Sequence, residues 1–243
     1  MPVRTDRRGT AMQILLLAAA IAYSGLPWEA VAGFPLDPAG SYLSELAAAD
    51  QPLGWLFRAL DLTTGVLVLI ALLVGGRSGG AVARRGATLA LAGFAVLTIV
   101  DASSPMACAS SASLRCARGD AANTLGLAHQ IHTVSSAGAL AALLVSAVLL
   151  AVAVSRDAGW DRPVGRRLLL ALVVSIVAVT VLVSVLAVLS TDEGRLMSGG
   201  GYAQRAQVLL VSLYLGWFGF LVKRLGSGPV RVTASPTDAV RPR

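Results

Sequence analysis

The side chains able to do chemistry in this 243-residue chain are few and lie close together. Between Asp101 and Ser136 stand both histidines (His129, His132), both cysteines (Cys108, Cys116) and a carboxylate, Asp101, at the end of an apolar run. His129 and His132 are spaced i, i+3, about 60° apart on one helical face, and Ser136 continues that face. Two imidazoles on one face can ligate a metal, with Asp101 arriving from the preceding helix. A His, His, Asp set with an open position suits zinc-assisted hydrolysis. In that reading Asp101, His129 and His132 are the ligands, Ser136 or Glu45 is an acid–base or supporting group, and zinc is the implied cofactor. The pattern H-x-x-H lacks the adjacent Glu of the zincins. The same histidines can equally hydrogen-bond Asp101, loop carbonyls or lipid headgroups at a membrane interface.

The elements that must position these residues are set by composition. Hydrophobic residues make up 56% and charged residues 14%, with a mean hydropathy of +0.73. A soluble globular chain carries roughly 25% charged residues, and an ionised side chain in hydrocarbon is costly. The fold class is therefore all-α: a polytopic transmembrane bundle of six helices over residues 1–224. The expected spans are about 10–28, 53–74, 87–104, 125–154, 168–189 and 205–222; five lie near the roughly 20 residues a bilayer needs, and 125–154 is longer than it requires. Residues 225–243 have no apolar period and read as a disordered cytoplasmic tail. The first run also has the basic start, apolar middle and small-residue end (Ala30-Val31-Ala32) of a cleavable signal peptide. Its length favours a retained span.

Charge fixes the expected orientation. With both termini cytoplasmic, the tails and two inner loops hold fifteen of the twenty Lys and Arg, a positive-inside bias over short loops. The net charge of +7 thus reflects loops beside an anionic leaflet. No basic patch interleaved with aromatics points to nucleic acid. The expected location is the cell membrane, multi-pass. The expected partners are the bilayer and another membrane protein.

Most polar residues near span ends then fall on the exported side. Cys108 and Cys116 share an exported loop, where disulfides form, and are expected to be bonded. Arg58, Asp61 and Arg205 are the intramembrane polar residues, with Arg58 or Arg205 as the partner a buried Asp61 requires. Glu45, with Ser41 and Ser44, reads as a solvated loop face beside a short helix over 41–49. Trp28, Tyr42, Trp55 and Tyr202 fit an aromatic belt. Small residues suit close helix packing at Ala137-Gly138-Ala139 and at Gly216 and Gly219.

With these motifs in view, the chain resembles the bacterial and archaeal membrane family known as domain of unknown function number 998. The resemblance rests on Ser41 to Leu46 (SYLSEL), on Asp101 with Pro105 and Cys108, on Cys116, on the histidine pair, and on Gly201 to Arg205 (GYAQR). It implies a six-span integral membrane protein and brings no activity. A looser likeness is to membrane hydrolases related to alkaline ceramidases, which gather Ser, Asp and His near one membrane face. This chain differs in having six expected spans, not seven, and H-x-x-H, not H-x-x-x-H.

Three functions follow in order. The first is a non-enzymatic envelope or partner-binding role with a polar cluster at the exported face. The second is a metal-dependent hydrolase acting on a lipid or amide at the outer interface. The third is a small transporter, for which the apolar inner half and the lack of matched broken helices are unfavourable.

Overall fold

The computed structural model describes residues 7–76, 82–157, 160, 163–189 and 199–225. Residues 1–6 of the basic start, parts of the two inner loops, the segment with Asp192 and Glu193, and the tail after Leu225 lie outside the described residues. Among the described residues all regular structure is helical, with no strand. Eight α-helices follow in order: α1 (Arg7–Tyr23), α2 (Leu26–Val31), α3 (Gly54–Gly75), α4 (Val82–Ser103), α5 (Leu114–Ala121), α6 (Leu127–Arg156), α7 (Pro163–Val188) and α8 (Gly200–Leu225). Two 3₁₀ turns, Leu43–Ala47 and Ser110–Ala112, lie between them.

Among the described residues five helices, α3, α4, α6, α7 and α8, are long and apolar enough to cross a membrane. Continuous apolar sequence selects helix because only internal hydrogen bonds satisfy the backbone in hydrocarbon. Even the hydroxyls follow this rule. Thr98, Thr180 and Ser212 each donate to the carbonyl four residues back, at 2.7–2.9 Å. Local signals set the ends: Pro163 opens α7, and Gly76, at φ +74°, closes α3.

The first apolar run departs from expectation. It is broken into α1, with 17 residues, and the short α2. Gly25 takes φ +63° between them and Pro27 starts the second helix. Ser24 Oγ and Trp28 Nε1 both donate to the Ile21 carbonyl, at 2.7 and 3.0 Å, and so stop α1.

The six long helices form a ring in chain order, α1–α3–α4–α6–α7–α8, and α8 returns to α1. One end of the ring is solid. Leu91, Phe94, Leu143, Leu150, Tyr214 and Phe218 are fully buried there, and Tyr214 shares a 2.7 Å hydrogen bond with Ser146. Gly219 seats α1 against α8 as its size suggests, whereas Gly216 has room for a Cβ. A Cβ at Gly219 would stand 2.7 Å from Gln13 Oε1 and 3.0 Å from Leu16. Gly138 does the same for Leu97 of α4, at 3.2 Å. The other end of the ring is hollow and covered by the connecting segments.

Candidate functional site: a roofed polar cavity

The hollow end holds a cavity of about 690 Å³. All six long helices contribute to its wall, and the segments around Leu43–Ala47 and Ser110–Ala121 cover it. Within it the structure gathers Glu45, Asp61, Asp101, Asp120, His129, His132 and Ser136. Among the described residues no Arg or Lys lines it.

The roof is built from the short motifs. Arg205, only 3% exposed, forms a bidentate pair with Glu29, which is 0% exposed. The Nε–Oε2 and Nη2–Oε1 distances are 2.8 and 2.5 Å. Its Nη1 donates to the carbonyls of Pro38, Ser41 and Gly201, at 3.0, 2.8 and 3.1 Å. One side chain of α8 thereby ties down α2 and the 38–41 turn. Gln204 accepts from the Leu43 N–H at 2.5 Å. Glu45 accepts from both the N–H and the hydroxyl of Ser111. Ala109 N–H donates to Asp50, at 3.1 Å, and Ala49 N–H to the Met106 carbonyl, at 2.9 Å. SYLSEL, GYAQR and the cysteine loop are thus three parts of one latch.

Two sequence expectations are corrected here. Arg205 does not partner Asp61, because the guanidinium is spent on Glu29 and three carbonyls. Arg58 does not either: its Nη1 donates to the Ala47 carbonyl at 2.7 Å. Glu45 is not a solvated loop residue. It is 3% exposed, and burial pushes its carboxyl above the usual carboxylate range against the lowering effect of the Ser111 hydrogen bonds. Tyr42 is likewise pushed up, by burial and then by Glu45.

The cysteine loop contains helix α5, absent from the sequence reading. Ser113 caps it by accepting from the Cys116 N–H, at 3.4 Å. Cys108 and Cys116 form a disulfide, with Cα atoms 6.0 Å apart. Closure of so short a loop contributes on the order of 2–3 kcal/mol. The bond also holds α5 where Asp120 meets the cavity.

Each histidine has its own carboxylate. His129, 4% exposed, has Nε2 2.9 Å from Asp120 Oδ1, and its Nδ1 accepts from the Ala107 N–H at 3.3 Å. That acceptor role places the proton on Nε2, so the ring donates to Asp120. Asp120 also accepts from Ser110 at 3.1 Å. Nothing in the sequence singled out Asp120. The only available sign was an acid in the same short loop as the cysteines. His132, 6% exposed, has Nδ1 3.2 Å from Asp101 Oδ1, without the angle of a hydrogen bond. That same oxygen accepts from Ser135 at 2.8 Å and from Ser136 at 2.6 Å.

This arrangement constrains the chemistry. Ser136 donates to Asp101 and not to His132, so no imidazole takes its proton as in a nucleophilic triad. His129 has no ring nitrogen left to offer a metal. Among the described residues no group of three His, Cys, Asp or Glu is placed to hold a metal ion. Asp101 and His132 remain together on the cavity wall. Asp61, half-buried on the same wall, makes no hydrogen bond or ion pair among the described residues. What the site offers is a set of anchored acceptors around space, with one carboxylate uncommitted.

Apolar membrane-crossing helices around a roofed, carboxylate-lined cavity define a multi-pass helical membrane protein with a polar chamber at one end. The comparison of families agrees with the motifs. The model of the family described as protein of unknown function (DUF998) matches residues 16–221, from α1 into the last turns of α8. The chain belongs to that family. No curated protein and no solved structure matches it.

Proposed function

We propose that this is a six-span cell-membrane protein with both termini cytoplasmic, and that its roofed cavity faces the exported side and binds a small ligand. The role is binding, not turnover. The observation that carries it is the cavity of about 690 Å³ in an otherwise apolar bundle, a volume within the range of small-molecule sites. Four carboxylates border it with no Arg or Lys among the described lining residues.

Several features support six spans. α1 fills the gap between α3 and α8, with Leu16 and Ala19 fully buried. Its 17 residues rise about 25 Å, and α2 and the roof make up the remaining depth. The positive-inside count puts the roofed end outside, where a disulfide persists. A hydrolytic zinc reading would require His129 to give up either the Ala107 N–H or Asp120, since each ring nitrogen already has a partner.

The test is charge-selective labelling. With the native pair bonded, Ser136→Cys supplies a single free thiol on the cavity wall. In intact cells a cationic methanethiosulfonate should modify it roughly tenfold faster or more than an anionic one of similar size, because a cleft of one sign concentrates its counter-ion. Equal rates, or faster modification by the anionic reagent, would contradict an acidic cavity on the exported side.

A further inference from the structure

We infer that the ligand of this cavity is a cationic amphiphile that enters sideways from the lipid, between α6 and α7, with its ammonium end on Asp61. The inference rests on the binding role proposed above and names its ligand class.

The way in follows from what is closed and what is open. The roof is latched by Glu45 on Ser111, Asp50 on Ala109 and Gln204 on Leu43. Among the described residues the seam between α6 and α7 carries no such side-chain latch, and these two helices touch least of the neighbours around the ring. Thr133 and Ala137 of α6 and Ser184 and Ala187 of α7 line the cavity and are also exposed. Their neighbours Val134, Val185 and Val188 are exposed apolar residues, as expected of a surface against acyl chains. A molecule passing this seam meets small and apolar side chains first and carboxylates afterwards.

The polar end follows from charge. Glu45 holds Ser111, Asp120 holds His129, and Asp101 holds Ser135 and Ser136. Asp61 alone of the four holds nothing among the described residues. A carboxylate at that depth needs a cation or a proton. With no Arg or Lys on the described lining, an ammonium group supplies the missing charge. The apolar tail follows from Leu140 and Val183, which carry the wall from the seam inward.

The experiment uses the full chain in lipid nanodiscs, titrated calorimetrically with decylamine, butylamine and decanoate, with empty nanodiscs subtracted. Decylamine should bind saturably to the wild type. Asp61→Asn should weaken it roughly tenfold or more, the loss expected for removing a charged partner. Asp61→Glu should retain it. Thermal melting of each variant without ligand reports folding, so a misfolded Asp61→Asn is recognised and Asp61→Glu with the three probes still decides. Butylamine binding as tightly as decylamine would overturn lateral entry of an amphiphile and leave a cation site reached from water. Decanoate binding as tightly would overturn the cationic class. Binding by none of the three, with Ser136→Cys still selectively labelled, would overturn this inference while the cavity reading stands. Labelling without the preference for the cationic reagent would remove both.

Discussion

Arg205→Ala should destabilise the folded protein by about 3–5 kcal/mol, the loss expected when one partner of a buried ion pair is removed. The substitution strands Glu29, which is fully buried, without its counter-charge. It also deprives the carbonyls of Pro38 and Ser41 of their donor and removes a second donor from that of Gly201. These groups lie on three segments, so the loss spreads across the roof. Thermal unfolding in detergent should show a large fall in midpoint, with reduced abundance in the membrane. Glu29→Gln/Arg205→Met should recover part of the loss, since no charge then remains buried. A change under about 1 kcal/mol in the single variant, the range of an exposed ion pair, would mean that the pair is not buried as described.

Gly201→Ala is expected to be nearly as harmful for a different reason. A Cβ there would stand 2.2 Å from the Pro38 carbonyl oxygen and 2.4 Å from that of Ser41. Both are backbone atoms, and both are held by Arg205. The clash cannot be relieved by a rotamer change. The 38–41 turn must move and loosen the guanidinium with it. Overpacking of this kind costs typically about 1–3 kcal/mol, and more where a network breaks. Gly216→Ala is the control on the same helix. Its Cβ would lie 3.4 Å from Leu17 and 3.6 Å from Ala20, an ordinary contact, and alanine favours helix by up to about 1 kcal/mol. Gly216→Ala should melt near the wild type or above it, and Gly201→Ala well below. The reverse order would refute the packing account of the roof.

The contrast between these glycines shows what the sequence discloses and what it withholds. Long apolar runs announce helices because the bilayer leaves the backbone no alternative. The runs near 53–74, 168–189 and 205–222 accordingly lie within α3, α7 and α8, to within a residue at their ends. Gly219 was legible as a packing residue because small residues suit close helix contacts, but the same reading extended to Gly216, which has room for a Cβ. The first run misled because Ser24-Gly25-Leu26-Pro27 is apolar enough to read through, while its backbone must turn. Helix α5 was hidden by its polar composition and its eight residues.

Partner choice was the least legible feature. Arg205 and Glu29 are 176 positions apart, and Glu45 and Ser111 are 66 apart. Depth along a span suggested Asp61 for Arg205, and only the turn at Gly25 brings Glu29 nearer. The pairing of His132 with Asp101 was foreseeable from their common depth. The pairing of His129 with Asp120 required the helix that the sequence concealed. The candidate site was therefore legible as a cluster of residue types at one end of the bundle. It was not legible as a latch with one uncommitted carboxylate.

Everything proposed for the cavity depends on its facing the exported side of a six-span bundle. A reporter active only in the cytoplasm, fused after Arg243, measures that placement, paired with an export-dependent reporter inserted after Asn123 in the cysteine-loop segment. The account predicts that both are active. A silent cytoplasmic reporter after Arg243, or a silent export-dependent reporter after Asn123 in a stably expressed fusion, would contradict it.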